Sequence, residues 1–228
     1  IINALLQGVY DGATTIGELR RHGDFGIGTL NALDGELVGL EGRFYQVRSD
    51  GTVHQLEDDA VVPFATVIEF EAQEHVNLPG AATFAALGAA LDSRLGSLNS
   101  VAAVRIHGQF PWLKVRSVPR QTPPYKPLAE VVEKQSVFEF VAMAGTLVGF
   151  RTPDFMRGLN VPGWHFHFLS DDGDHGGHVL ELRLEPVIAD IDYAEKLEVA
   201  LPSDRAFRGA TLGRDMKDEL RKVEQGGR

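Results

Sequence analysis

The stretch GWHFHFLSDDGDHGGHVLE, residues 163–181, carries four of the chain's eight histidines, His165, His167, His175 and His178, within fourteen positions. It reads as a β-hairpin, because ring-bearing and apolar residues flank SDDGDHGG, a segment rich in turn formers. Side chains alternate faces along a strand, so His165, His167 and Leu169 share one side while Trp164, Phe166 and Phe168 take the other. Two imidazoles therefore point into one space. The return strand sets His178 in line with Leu180, Leu182 and Leu184, and a register that turns His178 toward the His-x-His pair brings three nitrogens together. The alternative is three hydrogen-bonded core histidines. His175 competes for the third place from within the turn, and strand order favours His178. Three imidazoles with an open fourth position suit a catalytic metal site rather than a structural one. The motif alone names no reaction: His-x-His with a distant third His also occurs in cupin barrels and carbonic-anhydrase-like hydratases, and zinc, iron, manganese and nickel all accept imidazole.

Outward from the hairpin, the chain is strand-rich. Acid-Gly pairs at Asp34-Gly35, Glu41-Gly42 and Asp50-Gly51 punctuate residues 26–57, and the intervening ELVGL, RFYQVR and TVHQL form a β-meander. VVPFATVIEFE is a further strand. A helix is expected around residues 81–96, where apolar residues recur at helical spacing after Pro-Gly. VAAVRIHGQF and WLKVRSV read as two strands, followed by the proline-dense linker PRQTPPYKP. A domain boundary is placed there, giving a domain of residues 1–120 that supplies Glu36 and Arg116 and a β-rich metal-binding domain of residues 121–228. Beyond it come a short helix at LAEVVEKQ, a long strand through SVFEFVAMAGTLVGF, the histidine hairpin and a strand pair through residue 201. The tail LGRDMKDELRKVEQGGR is a last helix fraying into Gly226-Gly227, or a solvated end.

Composition narrows the function classes. With 43% hydrophobic and 24% charged residues the 228-residue chain is an ordinary globular protein. A net charge of −10 repels polyphosphates, which argues against nucleic acid or an anionic membrane as partner. There is no cysteine, so any metal must be held by His, Asp or Glu. No apolar run approaches the roughly 20 residues of a spanning helix, and the start IINALLQGVYDG lacks a basic signal-peptide region, so a cytoplasmic location is expected.

Three further segments extend the pattern: GDFGIGTLNALDGELVGLEGRFYQVRSDG, KVRSVPRQTPPYKPL, and GWHFHFL with GGHVLE. Together, in this order, they resemble the acetolactate decarboxylase family over nearly the whole chain. The resemblance implies an α/β fold, with a mixed β-sheet in the N-terminal half packed against a barrel-like β portion, and a homodimer formed by sheet extension. It implies zinc as cofactor, held by His165, His167 and His178 rather than His175. It also implies Glu36, Arg116 and Glu224 as catalytic residues and Thr29 beside the substrate. Without the resemblance Glu36 reads as a solvated hairpin residue, Arg116 as a charged strand edge, and Glu224 as a surface residue with Glu219 close by.

The implied substrate is a small 2-hydroxy-3-keto acid, 2-acetolactate, converted to acetoin and carbon dioxide in acetoin biosynthesis and the butanediol pathway. Loss of carbon dioxide leaves electrons that the ketone absorbs as an enediolate, and zinc would stabilise that charge as a Lewis acid. Arg116 would clamp the carboxylate, since its planar fork matches two oxygens. Glu36 and Glu224 are the candidates for protonating the enediolate. A zinc hydratase or a cupin-like binding module built on the same histidines is the alternative, and it needs neither Arg116 nor Glu36.

Overall fold

The structure is a computed structural model, described over residues 1–224; Gly226 and Gly227 of the tail lie outside the described residues. The chain opens with helix α1 (Ile2–Leu6), followed by β1 (Thr14–Thr15) and α2 (Ile16–Leu19). The meander follows as β2 (Phe25–Thr29), β3 (Glu36–Leu40), β4 (Arg43–Val47) and β5 (Val53–Gln55). Next come β6 (Val61–Val62), β7 (Phe64–Ile68), β8 (Glu74–Leu78) and the helix α3 (Phe84–Asp92), capped by the Thr83 hydroxyl. The remainder comprises β9 (Val101–Ser117), α4 (Leu128–Val131), β10 (Ser136–Thr152), β11 (Gly163–Ser170), β12 (Gly176–Arg183), β13 (Val187–Ala194), α5 (Arg205–Gly209) and α6 (Lys217–Glu224).

Two sheets result. The first runs β5-β4-β3-β2-β7, with antiparallel pairing throughout, which refines the mixed sheet expected. Short connections explain the pairings of β2 with β3, β3 with β4 and β4 with β5, since tight turns join only antiparallel neighbours. The second runs β10-β11-β12-β9-β13-β8, and β10 also pairs with β9. That extra pairing closes β9, β10, β11 and β12 into a ring around an apolar core including Leu113, Val115, Phe166, Phe168 and Leu182, the barrel-like portion. Strands from both sides of residue 120 share this sheet, and residues 118–127 link β9 to α4, which leads into β10.

The sheets face each other across a second apolar layer, Phe25, Ile27, Val38 and Val47 on one side and Ala103, Val148, Phe150 and Leu169 on the other. Alternation assigns Thr29 and Glu36 to this same layer, two positions from Ile27 and Val38.

Two irregularities decide which side chains enter it. The stretches expected as two strands form the single strand β9, with Pro111 inside it. Ala142 lies across from Pro111 at φ 53, and the register skips both, pairing Phe110 with Met143 and Trp112 with Val141. Proline has no N–H for the ladder, so the irregularity falls where no bond is lost. Its consequence is a change of face. Phe110 and Leu113 both point into the barrel core although they are three residues apart, so Arg116 points out of it, toward the first sheet.

The second irregularity corrects the expected face of β12. Pairing shifts between Val179 and Glu181, leaving Leu180 as an extra residue. Val179, Leu182 and Leu184 therefore enter the barrel core, and His178 does not share their side as strict alternation required.

Candidate metal centre and its surroundings

Register assembles the site. His167 on β11 lies across from His178 on β12, and His178 lies across from Arg116 on β9, so three adjacent strands present the candidate side chains in one row. His165 stands two residues along β11 on the same face. The glycines of β12 make the close packing possible: Gly177 has φ +141, and a Cβ there would lie 2.6 Å from the Arg116 carbonyl oxygen.

The three histidines are buried, and one nitrogen from each falls within 4.8 Å of the others. His165 Nε2 lies 2.9 Å from His178 Nδ1. His167 is oriented by the first sheet, its Nδ1 lying 2.7 Å from the Leu37 carbonyl oxygen. With Nδ1–H donated to that acceptor, Nε2 carries the lone pair, and it is buried without a hydrogen-bond partner. A buried unpaired acceptor is costly, and a cation at the cluster removes the cost. The donor set is therefore suited to a divalent ion that accepts imidazole. His175 stands apart, its ring 5.1 Å from that of Phe140.

Carboxylates flank the imidazoles from two directions. Glu36 opens β3 directly after Gly35, whose φ of +87 makes the turn. The preceding Ala32 and Leu33 also have positive φ, a conformation costing roughly 1 kcal/mol per non-glycine residue. Hydrogen bonds from Ala32 N to Tyr10 O and from Gln121 N to Ala32 O hold them there. The Thr29 hydroxyl donates to the Gly35 carbonyl at 2.7 Å, and Thr29 pairs with Glu36 across the sheet. Glu36 Oε2 lies 3.7 Å from His167 Nε2, and its Oε1 lies 3.5 Å from Arg116 Nη1. Glu224 arrives on α6, its Oε2 3.8 Å from His178 Nε2. Glu219 instead pairs with Arg214.

Burial sets the protonation states. It raises the Glu36 carboxyl to about 7 against the pull of Arg116, with Glu224 adding to the rise. Burial likewise raises Glu224 to about 7, again opposed by Arg116. The imidazoles move the other way: burial first, then the Arg116 charge, lowers His165 to about 3, and burial holds His167 and His178 well below the ordinary range. Neutral imidazoles are the form that binds metal. Arg116 is buried, and its Nε has no hydrogen-bond partner, so part of its fork is unspent.

Sequence reasoning missed the Leu37 carbonyl that orients His167. A main-chain acceptor leaves no signature in residue type, and only the approach of β3 to β11 creates the contact.

Fold and site together define a class: a β-rich protein with a buried cluster of three imidazoles able to hold a metal ion between two sheets, bordered by acidic groups and one arginine. The family model described as alpha-acetolactate decarboxylase matches residues 1–214. An alpha-acetolactate decarboxylase of Methanosarcina mazei is 46% identical over 98% of this chain and 78% of its own length. One from Methylococcus capsulatus is 44% identical over 98% of this chain and 86% of its own. The crystal structure of the Bacillus subtilis strain 168 alpha-acetolactate decarboxylase superposes with a TM-score of 0.94 at 36% identity, covering 99% of this chain and 96% of that one. This chain belongs to the alpha-acetolactate decarboxylase family. The family match ends at residue 214, before α6 and Glu224.

Proposed function

We propose that the protein converts 2-acetolactate to acetoin and carbon dioxide, with zinc held by His165, His167 and His178. The observation that carries the mechanism is Arg116, a buried guanidinium with an unpaired Nε in the same row as two of the imidazoles. A receptor of that kind suits a small acid, because a planar fork binds a carboxylate through two oxygens and fixes its orientation. A bound zinc supplies fixed positive charge for the ketone and hydroxyl oxygens, the electron sink that decarboxylation needs.

The chain's own residues do the rest. Arg116 orients the departing carboxylate, and Glu36, 3.5 Å from its Nη1, keeps the guanidinium in place. Glu36 and Glu224, raised toward neutrality by burial, hold the proton required after carbon dioxide leaves. Thr29 holds the Gly35 turn that presents Glu36 and lies beside the substrate. Burial of the centre keeps bulk water away from the negative charge that departing carbon dioxide leaves, until a proton is delivered.

A homodimer completes the reading. Residues 136–144 of β10 pair with β9 on one edge only, and Val137 and Val141 are exposed there, which suits pairing with a second copy. Sedimentation should give twice the chain mass, and a monomer at micromolar concentration would refute it.

The function is tested with racemic acetolactate, comparing zinc-loaded protein with a chelated control. Acetoin and carbon dioxide should form, stop on chelation and return with zinc. Folded, zinc-loaded protein that releases neither product would sink the proposal.

A further inference from the structure

Thr29, Glu36, Arg116 and the three histidines are each no more than 9% exposed, yet Glu224 keeps 22% of its side chain accessible. It also stands on α6, an element outside both large sheets. Between β13 and α6, residues 195–211 are largely exposed, with Leu197, Val199 and Leu201 open to solvent and only the short α5 as regular structure. An eight-residue helix is not stable alone in water, so α6 exists because it is docked.

Docking is specific. Leu220 and Val223 follow Met216 at helical spacing and are buried in a cluster with Leu6 of α1 and Val131 of α4. The Lys222 ammonium lies 2.6 Å from Glu133 Oε1, and Gln7 exchanges two hydrogen bonds with the main chain of Thr211. The end of the docked helix faces His178. That ring turns Nδ1 toward His165, 2.9 Å from its Nε2, and Nε2 toward the Glu224 carboxylate, 3.8 Å away. With Nε2 turned to α6, Nδ1 is the nitrogen that faces the cluster.

We propose that docking of α6 and zinc binding are coupled, with Leu220 and Val223 as positioning residues that act on the metal centre through Glu224 and His178. This rests on the zinc site proposed above, but not on its substrate. Linkage makes the coupling reciprocal: zinc stabilises the docked helix by the same factor by which docking tightens zinc. Loss of a partner that orients a ligating histidine typically weakens metal binding about 10- to 100-fold.

Amide hydrogen exchange on the parent protein tests the coupling without any substitution. Zinc should slow exchange across residues 217–224, and equal exchange with and without zinc would overturn the proposal. Leu220→Ala tests the positioning role by competition with a chromophoric chelator. Its zinc Kd should rise about 10-fold or more, while Leu19→Ala, in a separate apolar cluster on α2 that holds no residue of α6, should stay within about 2-fold. Equal weakening in both variants, or none in Leu220→Ala, would overturn it. Coupling in a protein that makes no acetoin sinks the substrate reading alone, and an active decarboxylase without coupling sinks this one alone.

Discussion

Arg116 shows how far one residue depends on its surroundings. In sequence it alternates with Lys114 as the charged edge of a strand would, yet it is 4% exposed, with one ion-pair partner and an unpaired Nε. An arginine is retained in such a place when its fork has an anion to bind. Arg116→Ala is expected to lower kcat/KM by about 10²- to 10³-fold, the range for removing a charged donor aimed at the reacting group. Zinc content should be unchanged. Arg116→Lys should recover little, because a point charge does not reproduce the fork. Steady-state kinetics with metal analysis checks both, and wild-type kcat/KM in Arg116→Ala would remove the guanidinium from the mechanism. His167 makes the complementary point: its place was legible as His-x-His, while its tautomer rests on the Leu37 carbonyl.

At the scale of elements, register and irregularity matter more than residue type. The hairpin of β11 and β12 was legible because alternation and turn formers both mark it, and it pairs His167 with His178. The extra residue at Leu180 was not legible, since Val-Leu-Glu-Leu reads as unbroken strand and only packing against β9 decides where the phase slips. The same holds for Pro111 and Ala142, where the face changes that turn Arg116 outward from the barrel. Gly177 is the sensitive point of β12. A Gly177→Ala side chain would meet the Arg116 carbonyl oxygen at 2.6 Å in a backbone conformation that L residues rarely adopt. Strand β12 must then move, carrying His178 with it. The expected result is a loss of about 1–3 kcal/mol in stability together with weaker zinc binding, read from urea unfolding of the apoprotein and from chelator competition. Unchanged zinc affinity would mean that the hairpin absorbs the shift elsewhere.

For the whole molecule, the centre imposes a pH dependence on stability. Without metal, the depressed imidazoles bind no proton in the folded state, while the unfolded chain takes protons up near 6.5, so stability falls as pH drops from about 6.5 toward 3. Glu36 and Glu224, raised to about 7 from 4.5, act in the opposite sense: their contribution is complete below 4.5 and is lost as pH rises through 7. Three groups against two leave a net difference of about one proton in the overlapping window, or ~1.4 kcal/mol per pH unit. The thermal midpoint of the apoprotein is therefore expected to fall between pH 6.5 and pH 5, and zinc should steepen the fall because protons compete for its ligands. A flat calorimetric profile would contradict the buried neutral state of the histidines. Among the described residues no helix is long and apolar enough to cross a membrane.

The sequence by itself determined the strand-rich character, the meander punctuated by acid-Gly turns and the histidine hairpin, and left the tail as a helix or a solvated end. These depend on local periodicity and turn chemistry, which are written in neighbouring residues. Only the tertiary structure decided that β9 and β10 close a ring across the proline-dense link, that Glu36 and Arg116 meet the histidines between two sheets, and that Glu224 reaches them from the last described helix. The longest of those contacts, Glu36 with His167, joins residues 131 positions apart. Long-range burial of charge in an apolar layer is a property of packing, and no window of sequence contains it.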